Sequence, residues 1–270
     1  MTIPLEDSFN DIIGKAMRGH GLADTDVAER AGVTVEEVHR LREGEFEERG
    51  ARKLAAVLGL SADALVIAAK KEYHPAVVEI EGLAQFNTPF DDMTVNSYVI
   101  WDPESREAIA FDTGADAGGM LDLIEQRQLV LKLILLTHTH GDHIFDLDRL
   151  KEKTGASAFV GEREPLAGAE SFAAGRTFQA GRLRVETRLT WGHSKGGITF
   201  LVSGLARPVA VVGDSLFAGS MGGGMVSYAE ALKNNREQIL TLLDDTIVAP
   251  GHGPLTTVGE EKRHNPFFAE

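Results

Sequence analysis

Leu133-Ile134-Leu135-Leu136-Thr137-His138-Thr139-His140-Gly141-Asp142-His143 is the stretch on which the reading of this chain turns. Its first four residues are apolar without a break, as in a buried strand. They run straight into four side chains of metal-ligand type, and open sheets place their sites beyond such strand ends. His138 and His140 are two apart, so in an extended segment they point the same way and can share one ion. Asp142 and His143, past the flexible Gly141, can turn towards a second ion beside the first.

Three distant turns offer the same chemistry: Gly192-His193, Gly213-Asp214 and Gly251-His252, each after a strand-like segment. Imidazole and carboxylate together suit zinc, manganese or iron. The chain has nine histidines and no cysteine, which excludes disulfides, iron–sulfur clusters and thiol catalysis. The other four histidines (His20, His39, His74, His264) stand in polar contexts without a ligand pattern.

Around this stretch, short β-branched runs alternate with helical ones. Strands are expected at 77–80, 94–100, 108–111, 133–136, 157–160, 183–187, 198–202, 209–212 and 246–249, and helices at 118–126, 145–153 and 228–243. Before the polar break ending at Pro75, residues 8–72 show only helical spacing. Thr34 with Glu37 reads as a capping box, and Gly32 and Gly59 as helix ends. The expected division is a helical domain over 1–72 and a mixed α+β domain over 73–270. The 270 residues carry a net charge of −14, which disfavours broad nucleic-acid binding. No apolar run approaches the roughly 20 residues of a membrane span, and residues 1–7 lack a signal-like apolar core. A cytoplasmic location, with no membrane partner, is therefore expected.

The motif 137–143 with His193, Asp214 and His252 resembles the five-part signature of metallo-β-lactamase-fold hydrolases over about residues 76–270. The resemblance implies an αββα sandwich with two divalent metal ions, zinc first and iron or manganese as alternatives. It also implies that His138, His140 and His193 hold one ion, Asp142, His143 and His252 the other, and that Asp214 bridges them. Within that group the chain is similar to glyoxalase II-like (hydroxyacylglutathione hydrolase-like) proteins. The likeness rests on Asn96-Ser97-Tyr98, Phe111-Asp112-Thr113-Gly114, Gly213-Asp214-Ser215-Leu216-Phe217 and the run from Pro250 to Thr257. Asp112 resembles an aspartate that orients a ligand histidine.

The implied activity is hydrolysis of a small acyl thioester by a water activated between two metals, with Asp142 orienting that water or accepting its proton. A mono-iron persulfide dioxygenase shares the ligand set and is the alternative enzyme. The stretch after His252 is too short for the glutathione-binding helical extension of glyoxalase II, and Gly197 stands where many relatives place a histidine. Lys195 reads as a solvated surface lysine, and the loop 218–225, with Met221 and Met225, as a flexible surface loop.

The run from Leu22 to Thr34, with Val38, Leu41 and Gly44, resembles a Cro/repressor-type helix-turn-helix, which implies a small all-α bundle. Its surface argues against DNA as the partner. Residues 1–72 hold 10 Lys/Arg against 14 Asp/Glu, and Glu36 and Glu37 open the helix that would meet the bases. A docking or homo-oligomerising module is expected instead, with a metabolite-sensing regulator as the remaining alternative and a small molecule as substrate.

Overall fold

The computed structural model describes residues 3–269. Five helices come first: α1 (Phe9–His20), α2 (Asp24–Ala31), α3 (Val35–Arg42), α4 (Glu48–Leu58) and α5 (Ala62–Ala69). Thr34 caps α3, accepting from the Glu37 amide while Glu37 accepts from the Thr34 amide. Gly21, Gly32 and Gly59 end α1, α2 and α4 in the left-handed conformation that only glycine adopts freely.

The remainder is an α+β sandwich of two six-stranded sheets. In spatial order, the first sheet runs β1 (Leu83–Phe90), β2 (Met93–Trp101), β3 (Glu107–Phe111), β4 (Val130–Leu136), β5 (Ser157–Gly161), β6 (Glu170–Phe172). The second runs β12 (Thr256–Thr257), β11 (Ile247–Pro250), β10 (Val209–Gly213), β9 (Ile198–Ser203), β8 (Leu183–Leu189), β7 (Thr177–Ala180). Tyr98, Phe111, Leu135, Phe200, Val211 and Ala249 meet between the sheets, all buried. The outer face of the first sheet is covered by α6 (Gly118–Arg127) and α8 (Leu147–Thr154), whose Met120 and Leu150 share a buried cluster with Ile134 and Leu136. The second sheet is covered at Val212 and Val248 by Val258 of α10 (Val258–His264) and Ile239 of a π turn over Asn235–Ile239. Among the described residues no helix is long and apolar enough to cross a membrane.

Three expected elements fall elsewhere. Residues 77–80 form no strand; the first strand is β1, pairing antiparallel with β2 through a tight hairpin at Phe90–Met93. Pro89 and the polar Gln85 and Asn87 hid it, but β1 is an edge strand, where proline costs no ladder bond on its open side. The helix expected over 145–153 is split: a four-residue turn, α7 (Gly141–Ile144), lies within the ligand motif, and α8 starts at Leu147. The one expected over 228–243 is α9 (Tyr228–Asn234) followed by the π turn.

The front helices do not stand apart from the sandwich. Phe9, Ile13 and Met17 of α1 share one buried cluster with Met221, Tyr228, Ala231 and Phe267. The contact is close at Gly19, where a Cβ would sit 2.3 Å from the Tyr228 ring.

Candidate metal centre

Five chain segments deliver the candidate ligands to one edge of the sandwich. Strand β4 leads to His138 and His140, α7 carries Asp142 and His143, and the loop after β8 brings His193. Asp214 follows β10 and His252 follows β11. Close approach is built into the backbone. A Cβ on Gly251 would lie 2.0 Å from Asp214 Oδ1, and one on Gly213 would lie 2.6 Å from Thr137 Oγ1.

The donors fall into two groups, His138, His140, His193 with Asp214, and Asp142, His143 with His252; within each group they lie within 4.8 Å of one another. In the first, His140 Nδ1 is 3.0 Å from His138 Nε2 and 3.1 Å from His193 Nε2. In the second, Asp142 Oδ2 is 3.4 Å from His252 Nε2 and 3.5 Å from His143 Nε2. Asp214 reaches both groups: its Oδ2 lies 3.3 Å from His193 Nε2 and 3.4 Å from His252 Nε2, its Oδ1 3.2 Å from His143 Nε2. All seven residues predicted from sequence are thus brought together.

Hydrogen bonds behind the rings fix which nitrogen faces inward. His193 Nδ1 donates to the Gly223 carbonyl at 2.9 Å, His252 Nδ1 to the Thr94 carbonyl at 2.7 Å, and His143 Nδ1 to Asp112 Oδ2 at 2.8 Å. Thr137 Oγ1 gives its proton to Asp112, so it accepts from His138 Nδ1 at 3.0 Å. Each of these rings therefore turns its Nε2 to the centre. In the first group His138 Nε2, His140 Nδ1 and His193 Nε2 converge with an Asp214 oxygen within 4.8 Å of one another, the nitrogen-rich set that a divalent ion accepts. In the second, His143 Nε2 and Asp214 Oδ1 are buried with no hydrogen-bond partner, a costly state that a metal relieves. The donor set fits divalent ions.

Charge follows the same division. Burial pushes His138 and His193 below their ordinary values. Burial opposes charge on His143 and His252 most strongly of any single cause, but the acceptors around them together outweigh it, Asp214 with Asp112 at His143 and Asp214 with Asp142 at His252, and raise them to about 10 and about 11. The Asp214 carboxylate, despite its burial, is held well below the usual range by His252 and His143. Protons on those two imidazoles neutralise the carboxylates until a cation displaces them.

Residues not foreseen hold the ligand loops. Glu164 accepts from the Thr139 amide at 3.2 Å and the Lys195 amide at 2.8 Å, tying the His138–His140 turn to the His193 loop. Lys195 itself is exposed, as expected. The loop 218–225 corrects its sequence reading: Met221 is buried beneath the front helices and only Met225 is free, 76% exposed. Composition reported its glycines but not the helices that pack on it.

A family model described as the metallo-beta-lactamase superfamily matches residues 90–252. The chain is 34% identical over 198 residues to hydroxyacylglutathione hydrolase GloC of Haemophilus influenzae, a stretch covering 64% of this chain and 92% of that protein. The crystal structure of BLEG-1 B3 metallo-beta-lactamase superposes with a TM-score of 0.60 at 28% identity, over 69% of this chain and 100% of that one. That of ETHE1 from Myxococcus xanthus gives 0.60 at 25% identity, over 68% and 83%. With the ligand set assembled on the matching sandwich, the chain belongs to the metallo-beta-lactamase superfamily.

Proposed function

We propose that the chain is a metal-dependent hydrolase of small acyl thioesters, hydroxyacylglutathione-like in substrate. The observation that carries this reading is the full His/Asp set on one sandwich edge in a chain similar to hydroxyacylglutathione hydrolase GloC. His138, His140 and His193 would hold one ion and Asp142, His143 and His252 the other, with Asp214 shared. Bound there, divalent metals, zinc first, polarise a carbonyl and acidify water. Asp142 is the more open of the two site aspartates, with 12% of its side chain exposed against 8% for Asp214. On this reading Asp142 would orient a water and accept its proton. Asp112 and the Thr94 carbonyl hold the tautomers of His143 and His252 throughout. A thiol leaving group, with a pKa of about 8.5, departs as thiolate without a general acid, and the ligand shell offers no obvious one.

The test is a thioester panel, S-lactoylglutathione first, on protein whose metal content has been measured. Turnover that chelation abolishes and zinc restores is expected, and His138→Ala/His140→Ala should lose bound metal. Two bound metals with no thioester cleaved would overturn the reading. The likeness to ETHE1 supports a second one, a mono-iron persulfide dioxygenase-like oxidoreductase. One iron per chain with oxygen uptake on glutathione persulfide would select it.

A further inference from the structure

An ammonium group of the front helices reaches towards the metal centre. Lys15 of α1 donates to the Met221 carbonyl at 2.9 Å and pairs with Asp7. Asp7 Oδ2 also accepts from Ser220 Oγ at 2.6 Å. Both charged side chains are largely withdrawn from water, 15% and 8% exposed, where such contacts resist screening. The loop they hold, residues 217–223, touches ligands from three of its residues. The Gly223 carbonyl fixes His193 Nδ1. Phe217, whose ring centroid lies 5.0 Å from Lys15 Nζ, meets the His252 ring edge-on at 5.5 Å. Between them the backbone is seated directly on the centre: a Cβ on Gly222 would lie 1.9 Å from the Asp214 carbonyl oxygen and 3.0 Å from His193 Nδ1.

We propose that Lys15 is a positioning residue of the metal centre: it fixes the 217–223 loop, which in turn orients His193 and buttresses His252. The proposal rests on the reading of those histidines as ligands. It makes the all-α front region a structural part of the site rather than an appendage, and couples whatever moves α1 to metal affinity.

Charge and position predict opposite results, so they can be separated. Removing a cation near the centre should tighten binding of a divalent ion. Releasing the loop should weaken it. Full-length protein stripped with a chelator is titrated with zinc by calorimetry, and its cobalt form is followed by visible absorption. Lys15→Met is expected to weaken zinc about tenfold, the scale on which groups behind metal ligands act, and to alter the cobalt spectrum. Lys15→Arg should recover most of the affinity. Should Lys15→Met fail to fold, Ser220→Ala removes one hydroxyl from the same contacts and should shift affinity in the same direction. Unchanged or tighter zinc binding in the folded variant overturns the proposal, as does a wild type that binds no metal. Weakened zinc in Lys15→Met beside a wild type inert to thioesters would leave the positioning role standing and remove the hydrolase reading. Thioester turnover with zinc affinity unmoved would do the reverse.

Discussion

Asp112 has a backbone φ of 54°, a conformation a non-glycine residue rarely keeps without reason. Its carboxylate supplies one. It accepts from the Thr137 amide and hydroxyl, both at 2.7 Å, and from His143 Nδ1. Asp112→Asn keeps a residue tolerant of that φ but puts an amide donor among three donors. Zinc affinity should fall by about 10- to 100-fold while the fold survives, as a metal titration beside a circular dichroism spectrum will show. Gly251→Ala should be harsher, because its methyl would lie 2.0 Å from Asp214 Oδ1 and 2.7 Å from His143 Cε1. Loss of stoichiometric metal is expected; full occupancy in that variant would contradict the close approach. At this scale much was legible. The ligands announce themselves because they cluster just past strand ends, most of them beside a glycine, and Asp112 likewise follows a strand. Glu164 and Lys15 do not, since each acts through backbone atoms 25 or more residues away, and no local pattern encodes such a contact.

Helix α10 shows how an element outside the ligand set supports the site. Its Glu261 is fully buried and accepts from the Gly219 amide at 3.0 Å, Asn265 Nδ2 at 2.7 Å, the Tyr73 hydroxyl at 2.9 Å and the Thr256 hydroxyl at 2.8 Å. Burial raises this carboxyl to about 7, against hydrogen bonds that pull it down. A folded pKa above the unfolded value means that the native state binds the proton more tightly. Glu261 therefore lowers stability as pH rises from about 4.5 to about 7, and adds no slope outside that window. Glu261→Gln, whose amide the two hydroxyls can meet by reversing their protons, should remove a slope approaching about 1 kcal/mol per pH unit. Denaturant unfolding of both proteins at pH 5, 6, 7 and 8 measures it, and parallel curves would refute it. The sequence could not show a carboxylate beneath the 217–223 loop. Strand β1 was missed for a related reason: an edge position is a property of the sheet, and Pro89 reads as a breaker until the sheet is known.

Across the whole molecule, the acidic balance and the packing of the front region bear on the same question. Helix α3 exposes Val35, Glu36, His39, Arg40 and Arg42, and Arg42 is paired with Asp24, so little free positive charge faces outward for phosphates. The face of the bundle that is spoken for is the α1 face, buried against Met221, Tyr228 and Ala231. Ala231 in turn lies against Gly192, the neighbour of His193, where a Cβ would come 2.4 Å from the Ala231 backbone. Such a chain of contacts makes metal binding and α1 packing thermodynamically linked, and the linkage runs both ways. Zinc added to the stripped protein should slow amide hydrogen exchange in α1 (Phe9–His20) as well as in the ligand loops, and leave α2 and the exposed turn of α3 nearly unchanged. Gly19→Val should abolish the α1 response, because its side chain would collide with the Tyr228 ring and lift the helix from α9. Protection confined to the ligand loops in the wild type would show that the helices merely rest on the sandwich. Protection spreading evenly through α1–α5 would instead mean that the bundle and the metal centre fold as a single cooperative unit.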